Sequence, residues 1–209
     1  MTSIKKKKIN IKKLFSHEKG LLIIVSAPSG SGKTTILNHI ISKIPQTKYS
    51  ISYTTRIKRP GEKEGKHYHF IDNDAFSKKI KQGFFLEWAR VYDNCYGTSK
   101  QDISKLISKG YDVIMDLDTK GACNVKKLFG NAVLIFLLPP SINELNKRLK
   151  SRNSDSPEEI KKRIGMAMNE ISHIPEYDYV VINDSLTHAV SAIKSIIISE
   201  KKKVSRILK

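Results

Sequence analysis

Apolar runs typical of buried strands alternate with amphipathic stretches along most of the chain. Residues 21–26 (LLIIVS) form an almost wholly apolar run, typical of a strand buried on both faces of a sheet. From 34 to 44 the apolar residues recur every three or four positions, which predicts a helix that Pro45 ends. The runs at 111–117 and 132–138 predict two more central strands. This alternation predicts an α/β domain with a mostly parallel sheet flanked by helices.

The chain after 138 continues the same alternation. Ser141 with Glu144 offers a capping box for a short helix, and Ser156 with Pro157 begins a longer one. A last strand is predicted at 179–182, followed by a final helix with one apolar face. The C-terminal part therefore belongs to the same α/β domain.

Residues 53–94 interrupt this alternation. The stretch is richer in aromatic residues, glycine and basic residues than its surroundings. Insertions between core elements often carry binding residues, because the rigid core holds them in place. We therefore interpret 53–94 as a subdomain inserted into the α/β core.

The composition limits the class of protein. Hydrophobic residues make up 39% of the 209 positions and charged residues 28%, as in ordinary soluble globular domains. No apolar run approaches the about 20 residues that a membrane-spanning helix needs, so we expect no membrane partner. The two cysteines, Cys95 and Cys123, form neither a disulfide framework nor a metal-type spacing. Their scarcity favours a reducing, cytoplasmic location.

The formal net charge of +18 favours anionic partners. Because the lysines are spread along the chain, we interpret most of them as solvated surface that also attracts nucleotides, and we expect no nucleic-acid partner. Residues 1–19 carry no acidic side chain before Glu18 and are predicted to form a disordered basic tail. A cleaved signal peptide is disfavoured, because cleavage at Ala27 would destroy a phosphate-binding motif.

That motif is APSGSGKT, at residues 27–34, and it matches a P-loop apart from Ala27 in place of the first glycine. Small residues let backbone N–H groups curl around phosphate oxygens, and the helix that follows points its positive end at the same anion. Lys33 supplies a charge for the β- and γ-phosphates of ATP, and Thr34 a hydroxyl ligand for Mg²⁺. The predicted ATP site comprises Ala27, Pro28, Ser29, Gly30, Ser31, Gly32, Lys33, Thr34 and Thr35.

Acidic residues end the strand predicted at 111–117. P-loop enzymes commonly place an acid at the end of a neighbouring strand, near the metal. Asp116 and Asp118 occupy such positions, and either is a candidate to hold Mg²⁺ through water.

A second anion site is predicted in the inserted stretch. Arg56 and Arg59 are close enough in sequence to form a forked site that suits a phosphate, and Tyr68 adds a hydroxyl donor. His67 and His69 alternate along a predicted strand and need not be metal ligands.

At this point the sequence resembles the guanylate kinase family of P-loop nucleoside monophosphate kinases. The motifs are S-x-T-T-R-x-x-R-x-G-E from Ser52, G-K-x-Y-x-F from Gly65, F-x-E-W-A from Phe85, Y-G-T from Tyr96 and D-x-D-x-x-G from Asp116. Together with APSGSGKT they occur in the family's order, and the resemblance extends from Leu21 to the C-terminus. It implies transfer of a phosphoryl group from ATP to GMP, with Mg²⁺ as cofactor.

The resemblance also implies roles for single residues. It assigns the phosphate of GMP to Arg56, Arg59, Tyr68 and Tyr96, and it assigns the guanine to Ser52, Glu87 and Thr98. It further places Asp118 at the GMP site, Asp116 near the metal and Asn183 near the adenine of ATP.

The chemistry of guanine agrees with the role implied for Glu87. Guanine presents N1–H and a 2-amino group side by side, and one carboxylate accepts a hydrogen bond from each. Adenine lacks this donor pair and would leave the carboxylate unpaired, which costs about 1–3 kcal/mol or more. A single acid can therefore set the choice of base.

Three arginines flank a polar turn at 153–156, in a region that resembles the mobile lid of the family. With Lys33 and Arg56, the predicted catalytic residues are Arg148, Arg152 and Arg163. Thr119, Lys120 and Asn153 depart from the usual family residues, which affects the expected substrate geometry and lid shape. The predicted organisation is a basic tail at 1–20 and a kinase-like domain at 21–209, with core segments at 21–52, 95–140 and 166–209, a GMP-binding insert at 53–94 and a helical lid at 141–165.

Three other functions compete with this prediction. A related kinase of sugar phosphates would not need residues that contact a base, such as Ser52, Glu87 and Thr98. A non-catalytic interaction module usually has a degraded P-loop, whereas GSGKT is intact here. If the protein were a basic nucleic-acid-binding ATPase, its paired arginines and tyrosines would have no role. The sequence does not decide between a monomer and a homo-oligomer.

Overall fold

The computed structural model describes residues 19–91, 93–151 and 156–207. The predicted basic tail at 1–20 lies outside the described residues except for Lys19 and Gly20. Arg152 and Asn153, from the predicted lid, also lie outside them.

Strands and helices alternate in the described chain, as the hydrophobic pattern predicts. The strands are β1 (Leu22–Ser26), β2 (Thr47–Tyr49), β3 (Tyr53–Thr54), β4 (His69–Phe70), β5 (Phe85–Val91), β6 (Asn94–Ser99), β7 (Asp112–Asp116), β8 (Val133–Leu138) and β9 (Tyr179–Ile182). The helices are α1 (Lys33–Lys43), α2 (Asn73–Lys81), α3 (Lys100–Ser108), α4 (Thr119–Leu128), α5 (Ile142–Lys150), α6 (Pro157–Ile171), α7 (Leu186–Lys201) and α8 (Val204–Ile207), with a 3₁₀ turn at Ile174–Glu176.

The core sheet has the strand order β2-β7-β1-β8-β9, and all of its neighbouring strands run parallel. β1 lies at its centre with every residue buried, as the run at 21–26 predicts. α1 and α7 pack on one face of the sheet, and α3 and α4 pack on the other. The predicted α/β fold with a mostly parallel sheet is therefore confirmed.

A second sheet, with the order β4-β3-β6-β5, projects from this core. β6 pairs antiparallel with both β3 and β5, and β3 pairs parallel with β4. α2 covers the sheet through Phe76, whose ring stacks on Phe85 with centroids 4.5 Å apart. The sheet continues to Ser99, beyond the range 53–94 that the sequence interpretation gave to the insert.

α5 and α6 pack on each other through a small apolar cluster of Leu145, Leu149 and Ala167. Of the capping box predicted for α5, one half is present, because the Ser141 hydroxyl accepts from the Glu144 N–H at 3.1 Å. The Glu144 carboxylate accepts instead from Arg148 Nε at 3.0 Å. α6 continues to Ile171, beyond the predicted lid boundary at 165.

Within the described ranges, none of the helices is both long enough and apolar enough to cross a bilayer.

Candidate active site

The carboxyl ends of β1, β2 and β7 lie at one edge of the parallel core sheet, and the predicted site residues follow them. Parallel α/β sheets commonly bind ligands at this edge. The P-loop follows β1, Asp116 ends β7, and Ser52 lies just beyond β2. The fold thus brings donor-site and acceptor-site residues to one place.

The P-loop between β1 and α1 adopts a conformation that only glycine reaches without strain. Gly30 and Gly32 have φ angles of 95° and 87°, in the left-handed region. Space is also restricted: a Cβ on Gly30 would lie 3.0 Å from the Leu149 side chain, and one on Gly32 would lie 2.6 Å from Asn183 Nδ2. The two glycines are therefore required by both backbone geometry and packing.

The N-terminus of α1 is free to bind an anion. Its N-cap is Gly32, so no side chain accepts a hydrogen bond from the first N–H groups of the helix. Lys33 is the first helical residue, and Thr34 and Thr35 follow with exposed side chains. Unpaired N–H groups and the positive end of the helix dipole favour a phosphate here.

Lys33 forms an ion pair with Asp116. β7 places this carboxylate, because Asp116 is in register with Val25 of the neighbouring β1, just before the P-loop. Both side chains are about three-quarters shielded, with 22% and 27% of their surface exposed. The pair holds the lysine beside the loop.

The residues predicted to bind Mg²⁺ fit a hard cation. Thr34 and Asp116 offer oxygen donors at the end of β7 and the start of α1, and oxygen donors are what Mg²⁺ prefers. No group of three or more His, Cys, Asp or Glu side chains in the described part of the chain has metal-binding geometry. Such a site suits an ion that takes its remaining ligands from substrate phosphates and water.

Asp118 caps a helix and also lines the acceptor cleft. Its side chain caps α4 by accepting from the Gly121 N–H at 2.7 Å. The same residue lies on the wall of the acceptor cleft. Asp116 and Asp118, which the sequence left as alternative metal ligands, therefore differ: Asp116 pairs with Lys33 and Asp118 caps a helix.

The acceptor cleft is an open cavity of about 930 Å³ between the second sheet and α4. Six of the predicted residues line it: Ser52, Tyr68, Glu87, Tyr96, Asp116 and Asp118. Because Asp116 also contacts Lys33, the P-loop and the acceptor cleft share one wall.

Ser52, Thr98 and Glu87 form a hydrogen-bonded chain. The Thr98 hydroxyl donates to Glu87 Oε1 at 2.8 Å, and Ser52 Oγ lies 3.3 Å from Thr98 Oγ1. Thr98 is buried, so it holds the carboxylate in place from behind. Burial raises the pKa of Glu87, the Thr98 hydrogen bond lowers it, and nearby Asp118 raises it further.

Glu62 contacts both predicted phosphate-binding arginines. Its Oε1 accepts from Arg56 Nη2 at 2.6 Å, and its Oε2 accepts from the Arg59 backbone N–H at 2.8 Å. The Arg56 guanidinium also lies 5.5 Å from the centre of the Tyr68 ring. The hydrogen bond to Arg56 is the largest influence that lowers the pKa of Glu62.

Arg59 and Tyr96 complete the predicted phosphate-binding set. The Tyr96 ring lies 5.9 Å from that of Tyr68, so the two phenols border the cleft together. Arg59 is exposed, and the residues that line the cleft do not include its side chain or that of Arg56. The structure therefore brings the two tyrosines into the cleft, with Arg56 beside Tyr68, and Arg59 does not line it.

The lid arginines occupy different environments. Arg148 contacts the outer side of the P-loop, with its guanidinium nitrogens 3.5 Å from the Ser31 carbonyl oxygen and 3.4 Å from that of Asn183. Arg163 is half-buried on α6. Arg152 lies outside the described residues.

Tyr49 and Glu170 line the site although the sequence reasoning did not select them. Tyr49 lines the acceptor cleft, and burial followed by the charge of Asp116 raises its pKa. Glu170 lines an adjacent cavity that also contains Asp118 and Lys120. The sequence offered one signal for Glu170: it lies three residues after the inward-facing Ala167 of α6, and residues three apart share one face of a helix.

A P-loop on a parallel sheet, facing a cleft with a half-buried carboxylate and paired phenols, defines a P-loop phosphotransferase with a separate acceptor pocket. The family model for guanylate kinase matches residues 19–200. The guanylate kinase of Geobacter sulfurreducens is 47% identical over 189 residues, which cover 90% of this chain and 93% of the relative. That of Caldanaerobacter subterraneus subsp. tengcongensis is also 47% identical, covering 90% and 92%.

A solved structure agrees with the sequence comparison. The crystal structure of guanylate kinase from Anaplasma phagocytophilum matches with a TM-score of 0.71 and 30% identity, covering 90% of each chain. The chain therefore belongs to the guanylate kinase family.

Proposed function

We propose that this protein transfers the γ-phosphoryl group of ATP to GMP, and also to dGMP, with ADP and GDP or dGDP as products. The observation that carries the proposal is the shared wall at Asp116, which joins the P-loop to a cleft containing the Thr98–Glu87 pair. Two relatives named guanylate kinase, each aligned with 90% of this chain, support the same reaction.

The donor phosphates bind to the P-loop. Backbone N–H groups of residues 29–34 surround them, and Lys33 neutralises charge on the β- and γ-phosphates. For this, Lys33 exchanges its ion pair with Asp116 for the phosphates when ATP enters. The ion pair thus keeps the lysine close to its working position before the donor binds.

Thr34 and Asp116 would hold the Mg²⁺ that accompanies ATP, because their side chains supply oxygen donors beside the P-loop. When bound, the ion supplies positive charge that stabilises the phosphate oxygens and orients the donor. Release of Asp116 from Lys33 makes its carboxylate available for this task.

The phosphate of GMP binds to Arg56, Arg59, Tyr68 and Tyr96. Glu62 restricts Arg56 to one orientation, so less side-chain freedom is lost when the phosphate binds. Guanidinium groups and phenols hold the acceptor anion near a second polyanion, which electrostatic repulsion would otherwise prevent.

The guanine is read by Glu87, with Ser52 and Thr98 beside it. The carboxylate accepts from N1–H and the 2-amino group, and the Thr98 hydrogen bond fixes its position. Asp118 lies close enough to raise the pKa of Glu87 and lines the same cleft.

The reaction is a direct in-line transfer, in which an oxygen of the GMP phosphate attacks the γ-phosphorus and ADP leaves. Positioning and charge neutralisation supply the catalysis, because no protein nucleophile is required. Lys33, Arg56 and the arginines Arg148, Arg152 and Arg163 stabilise the charge that develops on the transferred group. Closure of the lid excludes water and suppresses hydrolysis of ATP.

We place the protein in the cytoplasm, since both described cysteines are free thiols and the substrates are soluble nucleotides. Its positive charge acts through attraction of these nucleotides and needs no nucleic-acid partner.

An assay of ADP release across different acceptors tests the function. The purified protein with MgATP should release ADP rapidly with GMP and dGMP, and at least about a hundredfold more slowly with AMP or a sugar phosphate. Equal rates with AMP would refute the assignment of the base site. ADP release that needs no acceptor would instead indicate an ATPase.

A further inference from the structure

The P-loop is held from its outer side by a buried amide. Asn183, which immediately follows β9, donates from Nδ2 to the Ser31 carbonyl oxygen at 2.7 Å. Because a carbonyl oxygen only accepts hydrogen bonds, the nitrogen of the amide has to face it. Asn183 is buried, with 8% of its surface exposed, and Ser31 is fully buried.

The same amide also restricts the backbone next to Ser31. Asn183 Nδ2 lies so close to Gly32 that a Cβ there would approach it to 2.6 Å. Gly32 is the N-cap of α1, in the left-handed conformation, and its neighbour Lys33 is the first residue of the helix. The Asn183 side chain therefore contacts the point at which the loop becomes the helix.

β8 fixes the position of Asn183. The Asn183 backbone N–H donates to the Leu138 carbonyl at 2.7 Å, which extends the parallel pairing of β8 with β9. Arg148 of α5 contacts the carbonyl oxygen of Asn183 at 3.4 Å. A rigid sheet edge thus presents the amide to the loop.

We infer that Asn183 is a positioning residue for the proposed reaction, and that it holds the Ser31–Gly32 segment in the shape that binds the donor phosphates. This role rests on the proposed function and differs from contact with the adenine. A residue that reads the adenine would affect only the base of the nucleotide, whereas an anchor of the loop affects every phosphate chain that binds there.

Inorganic tripolyphosphate separates the two roles, because it carries the phosphate chain without a base. Its affinity is measured by calorimetry with Mg²⁺ for the wild type and for Asn183→Ala, and Lys33→Ala gives the background binding elsewhere on this basic protein. Loss of one buried hydrogen bond should weaken the affinity about tenfold. Asn183→Asp should weaken it more, because a carboxylate oxygen would face the Ser31 carbonyl oxygen.

Steady-state kinetics provide the second readout. For Asn183→Ala we expect the KM for ATP to rise about tenfold, with the KM for GMP unchanged and an unchanged ratio of kcat/KM between ATP and UTP as donors. The control is Asn38→Ala, at an exposed position of α1, which should behave as the wild type.

Two results would overturn the inference. One is tripolyphosphate affinity within twofold of the wild type in Asn183→Ala, and the other is a loss restricted to ATP among the donors. If Asn183→Ala does not fold, Asn183→Asp becomes the deciding variant, because it preserves the size of the side chain. Failure of the proposed function is distinct, because the wild type itself would then show no transfer to GMP.

Discussion

In the proposed function Glu87 sets the choice of base, and the structure holds its carboxylate in place. Thr98 donates to one of its oxygens from a buried position, and burial raises the pKa of the acid. A fixed acceptor pair costs little to reorganise when guanine binds. From the sequence alone, Glu87 would have been an ordinary position beside Trp88, and only its place in the motif distinguished it.

Replacement of Glu87 by glutamine tests this role. Glutamine keeps the size of the side chain but presents one donor and one acceptor, so one contact with guanine becomes repulsive. The ratio of kcat/KM for GMP over AMP should fall about tenfold to a hundredfold. The measurement is steady-state turnover with each acceptor at saturating MgATP, and an unchanged ratio would remove Glu87 from base recognition.

The role of Lys33 in the donor site can be tested separately from its effect on the fold. In Lys33→Ala the charge near the β- and γ-phosphates is lost, and kcat should fall about a hundredfold or more with the fold intact. Circular dichroism and thermal unfolding check the fold, and Lys43→Ala, in the last turn of the same helix, is the control. Near-normal turnover of Lys33→Ala would contradict the account of the donor site.

At the scale of elements, the P-loop depends on the helix packed against it. Leu145 and Leu149 of α5 lie against Gly30, and Arg148 contacts the Ser31 carbonyl. The lid region therefore begins with a helix that contacts the donor site directly. The sequence predicted the amphipathic helix, but it contained no signal for this contact, because the loop and the helix are far apart in the chain.

Gly30→Ala tests this packing. The left-handed φ of 95° costs an alanine about 1–2 kcal/mol, and its Cβ would press on Leu149 at 3.0 Å. We expect the KM for ATP to rise about tenfold, with little change for GMP. Gly130→Ala is the matched control, since a Cβ there meets no atom within 4 Å. If the two variants had the same KM for ATP, the loop would tolerate a Cβ at Gly30 and the prediction would be wrong.

The central strands were predictable, whereas the second sheet was not. β1, β7 and β8 coincide with apolar runs, because strands buried on both faces are apolar at most positions. β3 and β4 contain two residues each, and β3, which pairs with β4, is held by β6, which lies far away in the chain. A strand through His67 and His69 was predicted, and β4 lies at His69–Phe70. No local pattern encodes the pairing of such short strands, so the insert was recognised by composition and motif and the order of its sheet was not predicted.

At the scale of the whole molecule, the segment that contains Lys203 and Arg206 is joined to the core by a buried carboxylate. Glu200 is 2% exposed and accepts from the Tyr179 hydroxyl at 2.6 Å and from Arg206 Nη2 at 2.8 Å, and it pairs with Lys203. Although burial alone would raise its pKa, these partners lower the pKa to about 2. A local sequence pattern did not predict this cluster, since Glu200 lies on α7 and its partners lie on β9, on α8 and in the turn before α8.

The depressed pKa of Glu200 makes stability depend on pH. A carboxyl group whose folded pKa lies below its unfolded value contributes stability above pH 4.5, and this contribution is lost as the pH falls towards 2. Chemical denaturation across this range should show a larger loss of unfolding free energy for the wild type than for Glu200→Gln, by about 3 kcal/mol. Glu158→Gln, at an exposed position, is the control, and parallel pH curves for wild type and Glu200→Gln would contradict the assignment.

The central claim is that a donor pocket and a guanine-reading acceptor pocket meet at Asp116. The most direct test is calorimetric titration with a dinucleotide in which five phosphates join adenosine to guanosine, since this ligand fills both pockets at once. The account predicts one ligand per chain, an affinity at least about a hundredfold above that for ATP or GMP, and no further binding of GMP. Binding no tighter than that of ATP, with GMP still able to bind, would contradict it.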